Sequence, residues 1–318
     1  MPKTVHILET NPIRTFRVFF YFFSIVNIRN NLATEMNGSS TTMAPLKIGT
    51  RDKSVGWYTP TLENITGAQR DLLESYSHIA PDRVIPHILE VRDRAWEIHP
   101  YPCIGQLRFI DLTVSRSPSY SIVLQRLKEG ASLLDLGCCF AQDLRKLVHD
   151  GAPSESLWGA ELKGDFLELG YELFRDRETL HAHFMEADVF DTEGPLKQLE
   201  GKMDFIQIGL FLHLFDWAGQ IKACERIVAL MKPEKGVLIL GQQIGSLEAG
   251  PIDLDSGSKM YKHNVQSFEK MWKEVGEKTG TEWKVSASMD GGLGIDQNQR
   301  NWDDQKSRRI VFEVERTS

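Results

Sequence analysis

From residue 131 to residue 316 the chain alternates apolar runs of strand length with runs of helical spacing, and this alternation restricts its fold more than any other feature. Near-continuous apolar strands separated by helices are typical of a parallel sheet that is covered on both faces. The expected strands lie at 131–137, 156–162, 180–188 and 235–243, and a further strand is expected at the start of 203–215, which then runs into a loop or helix. The expected helices lie at 141–148, 166–174, 219–231 and 265–280.

Two later segments, 281–289 and 308–316, alternate polar and apolar residues and are expected to form a closing antiparallel pair. Five parallel strands followed by such a pair predict an α/β fold with the seven-stranded, mostly parallel sheet of the class I methyltransferases. The final antiparallel hairpin distinguishes this Rossmann-like fold from the dinucleotide-binding Rossmann fold itself.

Three regions are expected along the 318 residues: an N-terminal extension (1–45), a helical region that covers the active site (46–128) and the α/β domain (129–318). In the second region helices are expected at 62–79, 86–98 and 119–127, with a loop at 99–109. The extension contains an apolar run at 16–28 that is too short to cross a bilayer as a helix. An interfacial anchor, a targeting sequence and an extension outside the folded domain all remain open for it.

The charge and the cysteines restrict the partners. A net charge of −7 argues against non-specific binding to nucleic acid or to anionic membranes. The four cysteines form no CxxC pair and no zinc-type cluster with histidine, so no metal site is expected. Reduced thiols suit a cytoplasmic protein. A homodimer remains open.

A turn at the end of the first strand is the main candidate for a cofactor site. The strand ends at Asp135, and a tight turn begins at Gly137. Ligands of open α/β sheets bind at the carboxyl ends of the strands, and glycine allows the backbone to approach them closely. A carboxylate at this point suits the ammonium group of S-adenosyl-L-methionine. Cys139 and Ala141 stand where further glycines are expected, so an ordinary strand–helix turn is the alternative.

Two more acids follow the next strands. Glu161, followed by Leu162, ends the second strand, where a carboxylate can accept both ribose hydroxyls. Asp188 and Val189 follow the third strand, where the carboxylate can accept from the adenine amine and the Val189 N–H can reach a ring nitrogen. Each acid alone could be a solvated strand end or a turn-initiating residue. Acids at three successive strand ends favour a nucleoside cofactor, although Glu161 would suit NAD equally well.

The residues that would contact the methyl acceptor are less sharply indicated. His213 lies just beyond the fourth strand, where donor and acceptor would meet, and histidine can take a proton near neutral pH. For a carboxylate acceptor it would orient the substrate instead, and a packed core histidine is the alternative. Neighbouring loops offer further acceptor-binding candidates, each with a surface or core alternative: His99, Tyr101, Arg108, Tyr261, Lys262 and His263, with Trp57, Trp96 and Trp217 as apolar walls.

Four segments carry a resemblance to a known family: HPYPCIG (99–105), LLDLGCCFAQDLRKLVHDGAP (133–153), GYELFRDR (170–177) and MWKEVGEKTGTEW (271–283). They resemble fungal small-molecule methyltransferases of secondary-metabolite clusters. The most similar group acts in the austinol, terretonin and andrastin pathways, with relatives in the aurovertin and citreoviridin pathways. The resemblance covers residues 55–316 of the chain.

This resemblance implies an enzyme that uses S-adenosylmethionine and methylates oxygen. The acceptor would be a carboxyl group of a farnesylated polyketide acid (a meroterpenoid intermediate) or a hydroxyl of a pyrone or phenolic polyketide. By position, Asp135 and Gly137 match the first family motif, and Asp188 and Val189 match the adenine contacts. Glu161 stands where the family usually has an aspartate.

Two other functions compete with this interpretation. An NAD-dependent oxidoreductase is disfavoured because the chain lacks a GxGxxG turn after a strand. A methyltransferase-like pathway protein without methyl transfer, such as a scaffold or a non-redox cyclase, is disfavoured because the acids at the three strand ends are intact.

Overall fold

The computed structural model describes residues 48–65, 67–291 and 303–318. In this part of the chain the main sheet has the strand order β3–β2–β1–β4–β5–β9–β8. Strands β1 to β5 are parallel, and β9 runs antiparallel to both β5 and β8. The strands are β1 (Leu133–Leu136), β2 (Leu157–Glu161), β3 (His183–Glu186), β4 (Phe205–Gly209), β5 (Leu238–Ser246), β8 (Trp283–Asp290) and β9 (Ser307–Arg316), and a separate hairpin pairs β6 (Gly250–Asp253) with β7 (Lys259–Lys262).

The helices cover the sheet and build the region that precedes it. They are α1 (Gly67–Asp71), α2 (Val84–Ile98), α3 (Pro102–Gly105), α4 (Tyr120–Lys128), α5 (Gln142–His149), α6 (Gly164–Phe174), α7 (Trp217–Leu230) and α8 (Val265–Thr279). Helix α8 begins with a capping box between Asn264 and Ser267 and ends at Gly280, which has a φ of 65°.

Alternate residues of the strands face two separate parts of the core. Leu134 of β1 packs in one cluster with apolar residues of α7 and α8. Leu133, its neighbour, packs in a second cluster with residues of α4 and α5. Because successive side chains of a strand point to opposite faces, this division is what a sheet covered on both faces requires. Phe140 and Phe166 belong to a third cluster, which also holds the apolar residues of α2.

The seven-stranded sheet with its closing antiparallel hairpin confirms the predicted fold. Three local predictions differ from the structure. The expected helix at 62–79 is shorter, because only α1 and a wider π-helical turn (Leu72–Tyr76) are helical there. The expected loop at 99–109 contains α3 and a 3₁₀ turn (Arg108–Ile110), and the hairpin of β6 and β7 was not predicted. Apolar spacing reports burial, and an irregular chain can bury the same residues.

The described residues, 48–65, 67–291 and 303–318, all belong to one compact unit. The predicted extension at 1–45, with its apolar run, lies outside the described residues. Among the residues that are described, no helix is long and apolar enough to span a membrane. The expected boundary between residues 128 and 129 remains a prediction.

Candidate active site

The turn between β1 and α5 has three left-handed backbone positions. Gly137, Cys139 and Ala141 have φ values of 74°, 53° and 52°. Glycine adopts this conformation freely, whereas it costs any other L-residue about 1–2 kcal/mol. At Gly137 there is also a steric reason, because an added Cβ would lie 2.8 Å from Cδ2 of Phe211. The turn therefore keeps the backbone of a glycine-rich turn although only one glycine remains in it.

Two of the predicted acids lie beside this turn. Asp135 is 4% exposed, and its register partners are Gly159 on β2 and Gln207 on β4. Glu161, at the end of β2, accepts hydrogen bonds from the backbone N–H groups of Cys139 (2.9 Å) and Lys163 (3.1 Å). The bond from Cys139 ties the end of β2 to the turn after β1.

The third acid lies after β3. Asp188 is half-buried, and its Oδ1 accepts a hydrogen bond from the backbone N–H of Phe190 (2.9 Å). Its carboxylate thus starts a turn, and this bond engages one of its two oxygens. Val189 is buried, while Leu162 is 42% exposed. We call the carboxyl ends of β1, β2 and β3, with Asp135, Glu161 and Asp188, the cofactor edge.

The electrostatics of the cofactor edge favour a cationic ligand. Burial raises the pKa of Asp135 well above its usual range, and the carboxylates of Asp143 and Glu161 raise it further. Burial also raises the pKa of Glu161, although hydrogen bonds from backbone N–H groups oppose this shift. A positive group placed beside these carboxyls would stabilise their ionised forms.

Asp143 is a buried acid that the sequence analysis did not single out. Its carboxylate accepts hydrogen bonds from the backbone N–H groups of Thr113 (2.7 Å) and Val114 (3.0 Å). Gln207 donates from Nε2 to Oγ1 of Thr113 (2.8 Å). Burial raises the pKa of Asp143 to about 6. The available sequence signal was an acid in the first turn of a helix, but its partners, Thr113 and Val114, could not be read from spacing.

The segment before the sheet also reaches the cofactor edge. Tyr101 packs against His99, with ring centroids 4.0 Å apart, and against Phe166 of α6, at 6.0 Å. Burial and the nearby charge of Glu161 raise the pKa of Tyr101. Burial lowers the pKa of His99, with the charge of Lys163 adding to the effect. These two residues therefore lie near Glu161 and Lys163, and an acceptor contact by either of them remains a prediction.

His213 lies in the 3₁₀ turn Leu212–Leu214 that follows β4 and is 5% exposed. The ring of Phe211 packs against that of Phe215, with centroids 5.4 Å apart, on either side of this turn. The turn contacts β5 and β7. The position of His213 is as expected, and its chemical role remains a prediction. We call this turn and the hairpin of β6 and β7 the acceptor side.

Two predicted acceptor-binding residues on this hairpin have internal partners. Lys262 donates from Nζ to Oδ1 of Asp303 (3.1 Å) and to Oγ of Ser307 (2.8 Å). His263 is fully buried, with Nδ1 2.8 Å from Oγ of Ser267 and Nε2 3.1 Å from Oε1 of Gln220. Burial lowers the pKa of His263 to about 4. An acceptor contact by either residue remains a prediction, and the contacts observed are structural.

The remaining candidates divide between core and rim. Tyr261 packs against Trp217, with ring centroids 5.1 Å apart, at the edge of the hairpin. Trp57 and Trp96 are buried in the core around α2. Arg108 is 5% exposed, and its Nε donates to Oε1 of Gln106 (2.7 Å). Within the described residues no three His, Cys, Asp or Glu side chains are grouped to hold a metal ion.

The strand order, the closing hairpin and the acidic cofactor edge together define a class I methyltransferase that uses S-adenosylmethionine. The residues fit this donor: the buried acids suit its positive charge, and the carboxylate of Glu161 lies at the strand end where ribose hydroxyls are held in such folds.

Comparisons with known proteins define the family. A family model described as the meroterpenoid methyltransferase N-terminal domain matches residues 57–110. O-methyltransferase atr3 of Stereocaulon alpinum is 46% identical over 269 residues, which cover 83% of this chain and 77% of that protein. O-methyltransferase phiE of a fungal species is 40% identical over 294 residues, 85% and 98% of the two chains. The Asnovolin E/Chermesin D methyltransferase nvfJ of Aspergillus novofumigatus is 36% identical over 242 residues, 73% and 87%.

The chain belongs to the family of fungal O-methyltransferases from secondary-metabolite clusters. This confirms the resemblance read from the four segments, and it favours an enzyme over a scaffold or a non-redox cyclase. It equally favours methyl transfer over the NAD-dependent alternative.

Proposed function

We propose that this enzyme transfers the methyl group of S-adenosylmethionine to a carboxyl oxygen of a fungal meroterpenoid acid. The observation that carries the donor assignment is the pair of buried acids at neighbouring strand ends, Asp135 of β1 and Glu161 of β2, of which Glu161 accepts a hydrogen bond from the backbone N–H of Cys139 in the turn after β1. The donor supplies an electrophilic methyl group on a sulfonium, so the protein mainly holds the reactants in line.

The residues of the cofactor edge would each hold one part of the donor. Asp135 and the turn at Gly137 and Cys139 would bind the amino-acid end. Glu161 would accept from the ribose hydroxyls. Asp188 and the backbone of Val189 would bind the adenine, with the exposed Leu162 at its side.

The acceptor assignment is supported by relatives and by one buried cation. The family model that matches 57–110 and the relative nvfJ are both named for meroterpenoid methylation. Arg108 falls within the matched segment, and a guanidinium that is 5% exposed suits a carboxylate better than a neutral group. Because a carboxylate is already nucleophilic, this reaction needs no strong base.

A second acceptor, the hydroxyl of a pyrone or phenolic polyketide, is favoured by a different observation. Lys262 and His263 are engaged with internal partners, so the acceptor side presents fewer cations for a carboxylate. A hydroxyl acceptor would need a base, and His213 in the turn after β4 is the candidate.

The test is a methylation assay of the full chain with S-adenosylmethionine and two matched substrates, a farnesylated aromatic acid and its hydroxylated analogue without the carboxyl group. The proposal expects a base-labile methyl ester from the acid and little product from the analogue. A base-stable methyl ether would support the hydroxyl acceptor instead. In that case His213→Ala should lower kcat by about 100-fold, because general base catalysis contributes at least that much; with the acid it should change kcat only mildly.

The cysteines and the net charge bear on the cellular compartment of the enzyme and on its partners. We propose a cytoplasmic enzyme, supported by its four free cysteines, with no nucleic-acid partner, supported by the net charge of −7. A homodimer remains a prediction, which the molar mass from light scattering would test.

A further inference from the structure

The guanidinium group of Arg145, in α5, is held by an acid and a phenol from two other parts of the chain. Its Nε donates to Oδ2 of Asp176 (2.7 Å), and its Nη2 donates to Oδ1 of the same carboxylate (3.0 Å). Tyr76, in the segment before the sheet, donates from its hydroxyl to Oδ2 of Asp176 (2.8 Å). A buried charge needs a paired partner, and a bidentate pair also fixes the plane of the guanidinium. Arg145 is therefore held in one orientation.

The third nitrogen of Arg145 holds the backbone of the turn after β1. Nη1 donates to the carbonyl oxygen of Phe140 (2.6 Å). The N–H of the same peptide group belongs to Ala141 and donates to the carbonyl of Cys138 (2.7 Å). Helix α6 packs closely on the peptide, because a Cβ added at Gly170 would lie 2.7 Å from the carbonyl oxygen of Phe140. The peptide between Phe140 and Ala141 is therefore bonded at both of its polar groups and is packed against α6.

This peptide group determines a strained backbone angle. The φ of Ala141 is a rotation about its own N–Cα bond, and its value of 52° is left-handed. Non-glycine residues keep such an angle only where their surroundings impose it. On the other side of Phe140, the left-handed Cys139 has its N–H bonded to Glu161. The turn thus keeps a glycine-type backbone without glycine at these positions, held by Glu161 on one side and by Arg145 on the other.

Arg145 has no surface with which to contact a ligand. It is 1% exposed, and all three of its side-chain nitrogens are bonded within the protein. The ring centroids of Phe174, Tyr171 and Phe184 lie 4.7, 5.5 and 5.7 Å from its central carbon. Any effect of Arg145 on a bound donor must therefore act through the turn.

We propose that Arg145 is a positioning residue for the methyl donor, because it holds the peptide between Phe140 and Ala141 in the orientation that the left-handed turn requires. Asp176 and Tyr76 fix Arg145 in that place. The inference rests on the proposed donor site, in which this turn binds the amino-acid end of S-adenosylmethionine. It adds three residues that support the site without contacting the donor.

The test combines two substitutions and measures the affinity of the full chain for S-adenosylhomocysteine by calorimetry. Arg145→Lys should weaken binding by about tenfold, because an ammonium group keeps the charge beside Asp176 but cannot also hold the carbonyl of Phe140. In an Ala141→Gly background the same substitution should cost at most about twofold, because glycine adopts the left-handed conformation without support. A residue that served stability alone would show no such rescue.

Tyr76→Phe extends the test with a milder change, which keeps it valid if Arg145→Lys does not fold. It removes one hydrogen bond to Asp176 and should weaken binding by about two- to threefold, with the same rescue by Ala141→Gly. Arg226→Lys is the matched control. Arg226 is a buried arginine of α7, on the other face of the sheet, and is paired with Glu200. Its substitution should leave the affinity unchanged.

Three results would overturn the inference. They are an unchanged affinity in Arg145→Lys, a loss of equal size with and without Ala141→Gly, and an equal loss in Arg226→Lys. If the unmodified chain did not bind S-adenosylhomocysteine, the proposed donor site would be refuted, and the role of Arg145 with it. If the unmodified chain bound the ligand and only the rescue failed, the donor site would stand and the role of Arg145 would not.

Discussion

The cofactor edge and the acceptor side are built from contacts of different sequence range. At the cofactor edge, the bond from Cys139 to Glu161 joins residues 22 positions apart in adjacent strand–helix units. On the acceptor side, Lys262 reaches across 41 positions to Asp303. The ends of these strands can be recognised in the sequence, because the strands are apolar and acidic residues follow them. Long-range partners of a hairpin leave no such pattern.

This difference matters for function. The cofactor edge consists of groups that suit one ligand, and much of its acidity is left for that ligand to offset. On the acceptor side Lys262 is bonded to Asp303 and Ser307, and the neighbouring His263 is bonded to Gln220. We therefore predict that the first region binds the donor and that the aromatic pair Trp217 and Tyr261, beside the second region, contacts the acceptor.

The largest effect is expected on the acceptor side. Lys262→Met should lower the free energy of unfolding by about 3–5 kcal/mol, because it leaves the carboxylate of Asp303 buried without its ion pair. Lys306→Met, which removes an exposed pair with Glu248, should cost less than about 1 kcal/mol. Urea denaturation measures both. A variant of Lys262 with normal stability and a raised KM for the acceptor would instead support the predicted substrate contact.

The next effect concerns the turn of the cofactor edge. Gly137→Ala should lower stability by about 2–4 kcal/mol and weaken donor binding, because strain at a positive φ adds to a clash with Phe211. Gly130→Ala is the control: its φ is 98°, yet no atom lies within 4 Å of the added Cβ. Gly130→Ala should lower the free energy of unfolding only by the cost of backbone strain, and its donor affinity should be unchanged. Equal stability losses in the two variants would mean that Phe211 moves aside.

The acidity of the cofactor edge gives a pH dependence. Without ligand, Asp135 keeps its proton above the usual carboxyl pKa of about 4, so folding stability should fall as pH rises from there towards its raised pKa. A cationic donor favours the ionised carboxyl, so its binding releases a proton. Affinity for S-adenosylhomocysteine should therefore increase with pH over the same window, by at most about tenfold per unit.

Calorimetry in buffers of different ionisation enthalpy measures that proton release. Asp135→Asn should reduce it, leaving the smaller contributions of Asp143 and Glu161. A pH-independent affinity in the unmodified enzyme would show that these carboxyls are already ionised before the ligand arrives.

The smallest effect tests why the turn tolerates residues other than glycine. Ala141→Gly should stay within about 1 kcal/mol of the unmodified enzyme, because relief of strain at φ 52° offsets the lost methyl group and the added chain entropy. Ala223→Gly, at an equally buried position inside α7, has no strain to relieve and should cost about 2 kcal/mol. Thermal unfolding of both variants separates the two cases.

How much could be predicted from the sequence also differs between the cofactor edge and the acceptor side. Apolar runs predicted the five parallel strands of the main sheet, and the alternation of polar and apolar residues predicted the closing antiparallel pair. The acids after the first three strands predicted the positions of Asp135, Glu161 and Asp188. The hairpin of β6 and β7 escaped notice because its strands have four residues each and exposed polar positions. The burial of His263 and the partner of Lys262 were not predicted, because both depend on chain segments that meet only in the folded protein.

The left-handed turn shows the opposite case. The sequence indicated that Cys139 and Ala141 depart from the expected glycines, and we read this as a weakened motif. The structure keeps both positions at positive φ, so the backbone is retained where the residue type has changed. A search for glycine at these two positions would therefore miss this turn, although its backbone has the conformation for which glycine is expected.

The central claim is that the cofactor edge holds S-adenosylmethionine, and isothermal titration tests it most directly. The full chain should bind both S-adenosylmethionine and S-adenosylhomocysteine with micromolar affinity. Asp135→Ala and Glu161→Ala should each weaken binding by about tenfold or more, since each removes a charged hydrogen-bond acceptor. Absence of binding in a folded sample, or normal affinity in both variants, would contradict the account.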